Sequence, residues 1–220
     1  MYDLLAATSC DLLDLARPFR SPATVLTNVV IAVQCGLQAR RVAAHAVGTD
    51  REPEMWCAVF ACVGVSAALG AVKHGAPHLL DPTLLFAIAG LSNLALGTGI
   101  ALLQHVMVPG RPAGRAAWGL LYILAAGVSA SRGSFALTGL AAAIGLVPVV
   151  VAGFRDAVRC RSGGAEFAYA WAAAATAGVA WVAGPAPADW FGRVDVAHVM
   201  LMVALGLLLL GAERRVGQTP

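Results

Sequence analysis

Long apolar stretches separated by short polar links follow one another along the chain from residue 22 onward. A helix that crosses a bilayer needs about 20 predominantly apolar residues. By that measure the sequence predicts seven spans, at residues 22–42, 55–74, 83–104, 115–132, 134–154, 166–183 and 195–212. The links contain Gly and Pro, which interrupt helices. The pattern therefore predicts an all-α integral membrane protein, a bundle of seven transmembrane helices that forms a single domain over residues 1–220.

Two regions of this pattern leave alternatives open. The link "SASRGSF" between the fourth and fifth spans is only a few residues long, so a single kinked hairpin is an alternative, although two separate spans fit the length better. The N-terminal segment, residues 1–21, has three Asp and no apolar block behind a basic start, which argues against a cleaved signal peptide. A short interfacial helix is one interpretation of it. Residues 213–220 are expected to form a short cytoplasmic tail.

Composition supports the membrane class and excludes others. Hydrophobic residues make up 59% of the chain and charged residues 12%, which is not the balance of a soluble domain with one core. The net charge of +3 is too small and too scattered for a nucleic-acid interface. The five Cys include no CxxC pair, so we interpret them as small apolar packing residues.

Basic residues near the span ends predict the orientation. Five lie on the side of the N-terminus: Arg17, Arg20, Lys73, Arg132 and Arg193. Ten lie on the other side: Arg40, Arg41, Arg51, Arg111, Arg115, Arg155, Arg159, Arg161, Arg214 and Arg215. The positive-inside rule then places the chain in the cell membrane with its N-terminus outside and its C-terminus in the cytoplasm.

Histidine and aspartate side chains gather on one side of the predicted bundle. With alternating spans, the end of span 2, the start of span 3 and the start of span 7 share one leaflet, which holds His74, His78, Asp81, Asp189, Asp195 and His198. Asp195 and His198 are three positions apart, so they lie on one face of a helix. Ionisable groups in such a position are costly, and they are commonly functional.

Each of these residues also has an ordinary structural explanation. Asp81 precedes Pro82 at a helix start, as an N-cap does, and Asp195 could interact with the helix dipole. His74 could cap the last carbonyls of its helix. His198 could be a satisfied core histidine, and His78 could belong to a loop.

Taken together, histidine and aspartate are ligands that zinc accepts, and a catalytic zinc site keeps a position open for water. The shared leaflet therefore predicts one zinc site formed by His74, Asp195 and His198. Asp81 is the expected fourth member, and His78 is its substitute.

Three stretches resemble a known group of membrane enzymes: "VSAALGAVKHGAPHLLD", "FGRVDVAHVMLMVALGLLLLGA" and, more weakly, "PATVLTNVVIA". In layout and in these motifs the chain is similar to the alkaline ceramidases and their wider superfamily of seven-helix hydrolases, which includes adiponectin-receptor-like proteins. The resemblance implies a zinc ion that activates water against a lipid amide or a related carbonyl. It assigns His74 as the ligand from span 2, Asp81 as the acid of span 3 and His198 as a ligand from span 7.

Two positions depart from the pattern of that group. Where the group has a Ser one turn before the span 2 histidine, this chain has Gly70, and the nearest serine, Ser66, lies two turns before His74. Where the group has a second span 7 histidine, this chain has Val194, so the neighbouring Asp195 would have to substitute. Zinc accepts a carboxylate in place of a histidine.

The sequence thus predicts a zinc-dependent membrane hydrolase that acts on a membrane lipid, with no nucleic-acid partner. Asp81 or Asp195 would accept the proton from water, with Ser66 as a further candidate catalytic residue. Asn28 and His78 are the candidate substrate contacts. The alternative is a non-enzymatic protein that binds a metal or a small solute, or a degenerate family member in which the polar residues only join helices by hydrogen bonds.

Overall fold

The computed structural model describes residues 22–45, 51–75, 77–108, 110, 112–131, 136–184, 186–188 and 190–217. Within these ranges the chain forms seven α-helices and no strand beyond one isolated bridge between Ala188 and Phe191. The helices are α1 (Pro22–Ala43), α2 (Glu52–Gly75), α3 (Pro82–Met107), α4 (Pro112–Ser131), α5 (Ala136–Val158), α6 (Gly164–Ala183) and α7 (Arg193–Val216). A short 3₁₀ turn, Pro77–Leu79, joins α2 to α3.

The seven helices confirm the all-α class and the positions expected from the apolar stretches. α4 and α5 are separate helices, as the length of their segments favours. α7 continues to Val216, so the expected tail at residues 213–220 begins inside a helix. The N-terminal segment, residues 1–21, lies outside the described residues.

Five of the seven helices, α1, α2, α3, α5 and α7, are long and apolar enough to cross a membrane. Large apolar side chains also cover the outside of the bundle; on α4 they include Leu120, Leu121, Ile123 and Leu124. A soluble protein rarely exposes such a continuous apolar surface. Lipid is the solvent that suits it, because helices satisfy their backbone hydrogen bonds internally.

The helices form a closed ring. Each helix packs against the next along the chain, and α7 returns to pack against α1. Along the contact between α1 and α7, the residue numbers of the hydrogen-bonded partners increase in the same direction on both helices. Thr24 pairs with Asp195, and Gln34 pairs with the carbonyl of Met202. α1 and α7 are therefore parallel, and both begin at the same end of the bundle.

The main core is centred on α2 and α7 and includes the helices that pack around them. Trp56 of α2 is fully buried and stacks on Phe60 and on Phe167 of α6, with ring centroids 6.3 and 5.6 Å apart. α4 stands outside this core and packs through its own cluster, in which Trp118 and Tyr122 contact α3 and α5. Small residues make these contacts possible, as is usual between helices in lipid.

The turn between α5 and α6 depends on one glycine. Gly163 has a φ of 75°, in the left-handed region, and stands immediately before α6. A Cβ at this position would overlap the carbonyl oxygen of Gly211 in α7. The backbone at the start of α6 therefore lies so close to the backbone of α7 that only a residue without a side chain fits at Gly163.

Candidate functional site

A polar cluster lies between the first turns of α1 and α7. Thr24 Oγ1 donates a hydrogen bond of 2.7 Å to Asp195 Oδ1. The backbone N–H of Gly192 donates one of 2.8 Å to Oδ2 of the same carboxylate. Asp195 is 1% exposed, so these donors compensate a buried acid that would otherwise be costly. The second bond also closes the start of α7, which is the helix-terminus role considered for Asp195.

One turn further into the bundle, Thr27 Oγ1 lies 2.8 Å from Nδ1 of His198. The Thr27 hydroxyl has a single hydrogen, which it donates to the carbonyl oxygen of Thr24 at 3.1 Å. In the tautomer that has its proton on Nδ1, His198 donates a hydrogen bond to this hydroxyl. The lone pair of the neutral imidazole is then on Nε2, which is the state in which histidine binds a metal or accepts a proton.

Asn28 faces the interior beside this cluster, where its amide finds hydrogen-bond partners that lipid does not offer. It is 7% exposed, and its Nδ2 donates to the carbonyl of Thr24 at 2.9 Å. Its Oδ1 lies against Gly70 of α2, where an added Cβ would be 3.2 Å away. The amide of Asn28 thus borders the position at which the resemblance expects a serine.

Two of the other candidates have visible structural partners. Asp81 is the N-cap of α3, is exposed, and accepts a 3.0 Å hydrogen bond from the N–H of Leu84. Ser66 Oγ lies 3.2 Å from Ser92 Oγ, which also donates to the carbonyl of Ser66 at 2.9 Å. The bonds between Ser66 and Ser92 join α2 to α3 and lie deeper in the bundle than the polar cluster.

The histidines between α2 and α3 are placed less closely. His74 is exposed in the last turn of α2, one turn beyond Gly70, and therefore on the face that meets α1. His78 lies in the 3₁₀ turn, and its side chain is outside what the structure describes.

The packing order explains which candidates meet. α7 packs mainly against α6 and α1, contacts α2 slightly, and does not have α3 among its main neighbours. Asp195 and His198 consequently meet the threonines of α1, whereas Asp81 starts a helix on the other side of α2. Among the described residues, no three His, Cys, Asp or Glu side chains are grouped closely enough to hold a metal ion.

A family model matches residues 23–216, from the second residue of α1 to the last residue of α7. The chain belongs to the DUF6962 family. The description of this family is a family of unknown function. No curated protein and no solved structure matches this DUF6962 member.

Sequence reasoning missed the partners of the two site residues. Thr24 and Thr27 are three positions apart on α1, the same spacing as Asp195 and His198 on α7. Because the two helices are parallel, equal spacing lets each threonine meet one ionisable residue. That matched spacing was the available signal, but it has meaning only once α1 and α7 are known to be neighbours.

Replacing Thr24 with valine is expected to lower the free energy of unfolding by about 1–3 kcal/mol, because the buried Asp195 carboxylate loses a donor while the size of the side chain is kept. Unfolding of the purified protein in detergent, followed by circular dichroism, would measure the change. The matched control is Thr176→Val, since Thr176 is exposed and bonds only to its own helix, at Ala172. Equal losses in the two variants would contradict a supporting role for Thr24.

Proposed function

We propose that this protein is a metal-dependent membrane hydrolase that uses Asp195 and His198, between the first turns of α1 and α7, to act on a lipid amide or a related carbonyl. The observation that carries the proposal is the 2.8 Å contact of His198 Nδ1 with the Thr27 hydroxyl, which itself bonds to the carbonyl of Thr24. With the His198 proton on Nδ1, the lone pair of Nε2 is available to a metal. A buried carboxylate one turn away makes this a site that suits a cation.

The chemistry of the donor atoms fits zinc. An imidazole nitrogen and a carboxylate are both zinc ligands, but catalytic zinc usually takes three protein ligands. The described residues bring two together, and we propose His74 as the third, from the face of α2 that meets α1. When bound, zinc lowers the pKa of its water to ~7 and polarises a carbonyl.

The residues of the chain have distinct roles in this proposal. Thr27 fixes the tautomer of His198, and Thr24 orients the Asp195 carboxylate by the bond that also compensates its burial. Asp195 is the candidate proton acceptor, because its carboxylate lies one turn before His198 on the same helix and is held in place by Thr24 and Gly192. Asp81 keeps its role as the N-cap of α3.

The membrane setting supports a lipid as the substrate. In this proposal all seven helices cross the bilayer, and the end that holds Asp195 lies outside. Ten of fifteen basic residues at the opposite end support that orientation. A site within the first two turns of two spans lies near the level of lipid head groups. A scissile amide or ester would be found at that level.

A second candidate, a non-enzymatic membrane protein, is favoured by a specific observation. Both oxygens of Asp195 already accept hydrogen bonds from the protein, Asp81 caps α3 and Ser66 bonds to Ser92. Under this alternative the cluster joins α1 to α7, and His198 is a satisfied histidine of the bundle.

Metal analysis separates the two candidates. We expect about one zinc ion per purified chain, and a lower melting temperature after chelation, because a ligand that binds the folded state stabilises it. His198→Ala should lose the zinc, and Asp195→Asn should weaken its binding. His105→Ala is the control, since His105 is an exposed histidine at the opposite end of the bundle. Activity would be assayed on an N-acyl lipid in nanodiscs.

The result that contradicts the hydrolase is equally definite. If the wild type carries no stoichiometric metal, chelation leaves its melting unchanged and the N-acyl lipid is not cleaved, the non-enzymatic alternative is the better account. Zinc that remains after His198→Ala would also remove His198 from the site.

A further inference from the structure

Two adjoining cavities open at the end of the bundle opposite to Asp195. The larger, about 680 Å³, lies between the turn from α5 to α6 and the end of α7. The smaller, about 240 Å³, is lined by Asp156, Arg161, Ser162 and Arg215. Arg161 and Ser162 border both, so the two cavities form one cleft. The larger cavity alone has the volume of a small-molecule site.

A buried acid anchors the arginines of this cleft. The Asp156 side chain is almost fully buried and lies 3.2 Å from a guanidinium nitrogen of Arg161, 3.5 Å from one of Arg215 and 3.6 Å from one of Arg155. Arg215 also pairs with Glu52 of α2 at 2.8 Å. Arg161 remains more than half exposed. Its guanidinium is therefore fixed at one edge and open to a ligand at the other, which suits the bidentate geometry of arginine with phosphate.

Around this cleft, positively charged groups outnumber negatively charged ones. Two further pairs, Arg41 with Glu213 and Arg214 with Glu166, neutralise each other. Arg159 forms no ion pair within the part of the chain that the structure describes. The cleft is lined by three arginines (Arg161, Arg214 and Arg215) and three acids (Asp156, Glu166 and Glu213). Their ion-pair partners Arg41, Arg155 and Glu52, together with Arg159 next to Cys160, add three arginines and one acid. The cleft and these neighbours together thus have an excess of two positive charges.

Apolar side chains beside the cleft place it at a membrane surface. Val158, which follows the lining residue Ala157, is 83% exposed. Tyr169, three residues after the lining residue Glu166 on α6, is 66% exposed. Tyrosine is enriched at the level of lipid head groups. A ligand in the cleft would therefore have lipid chains beside it, which favours a phospholipid over a soluble anion.

We infer that this cleft binds the phosphate of an anionic phospholipid, with Arg161 as the direct contact and Arg159, in the same turn, as a neighbouring cation that adds attraction. Ala165 and Glu166, at the start of α6, line the larger cavity, and the positive end of the helix dipole adds to its potential. The site is distinct from the proposed hydrolase site and does not depend on it.

The test uses the full chain in nanodiscs and measures retention of phosphatidylglycerol against phosphatidylcholine by native mass spectrometry. We expect preferential binding of phosphatidylglycerol. Arg161→Gln and Arg159→Gln should each weaken it about five-fold, which corresponds to about 1 kcal/mol per arginine near an anionic membrane surface. Arg40→Gln is the control, since Arg40 is exposed at the same end but belongs to α1, whereas Arg159 adjoins Cys160 and Arg161 in the turn that lines the cleft.

Three outcomes would overturn the inference. The first is equal binding of the two lipids. The second is an equal loss in Arg40→Gln, which would assign the effect to general surface charge. The third is an increase in melting temperature with inorganic phosphate in detergent that matches the one with phosphatidylglycerol, which would assign the cleft to a soluble anion. If Arg161→Gln does not fold, Arg159→Gln decides the matter, because Arg159 has no ion pair to lose among the residues that the structure describes.

Discussion

Replacing Trp56 with alanine is expected to lower the free energy of unfolding by about 3–5 kcal/mol, the range for removing a buried tryptophan. Its indole is fully buried between Phe60 and Phe167, and its Nε1 donates to Glu52 at 3.3 Å. Removal leaves a cavity between α2 and α6 that neither lipid nor water fills well. Unfolding in detergent, followed by circular dichroism, would measure the loss without depending on tryptophan fluorescence.

The control for this substitution is Trp190→Ala. Trp190 is 66% exposed and contacts Phe191 edge-on outside the main core. We expect a loss of less than about 1 kcal/mol there. If Trp190→Ala costs as much as Trp56→Ala, the stack around Trp56 is not the centre of the core.

Replacing Gly163 with alanine is expected to cost about 2–4 kcal/mol, because two penalties act together. The left-handed φ of 75° strains any residue with a Cβ, and the added methyl overlaps the carbonyl oxygen of Gly211. A backbone atom cannot move aside as a flexible side chain can, so α6 and α7 would have to separate. The same unfolding measurement applies.

Gly178→Ala provides the matched comparison within α6. Nothing lies within 4 Å of a Cβ at Gly178, and alanine favours a helix interior over glycine by about 1 kcal/mol. This variant should be neutral or slightly more stable. A Gly163→Ala protein as stable as the wild type would mean that α6 does not approach α7 in the way described.

The helices were predictable from sequence because lipid imposes a simple rule. Every backbone polar group must be satisfied within the span, so an apolar stretch of sufficient length is helical whatever its neighbours are. The ends were less predictable. α7 extends beyond the apolar stretch to Val216 because Arg214 and Arg215 pair with Glu166, Glu52 and Asp156 of other helices, and such pairs cannot be read from α7 alone.

The candidate site was predictable only in its level within the bundle. Alternation of spans placed Asp81, Asp195 and His198 at one end, but it contains no information on which helices are neighbours. The ring closes through α1, and so the partners of Asp195 and His198 are Thr24 and Thr27. Threonine is common in spans and has no distinctive period, which is why the sequence pattern did not single these two out.

The parallel arrangement of α1 and α7 has a consequence for duplication of the bundle. Over the described residues, the bundle begins at one end and finishes at the other, since seven helices, an odd number, close the ring. A second copy joined by a short linker would start where the first one ends, and would stand inverted beside it. Tandem fusion of this unit would therefore produce the inverted-topology pair on which many transporters are built, whereas a bundle with an even number of helices would give two copies in the same orientation.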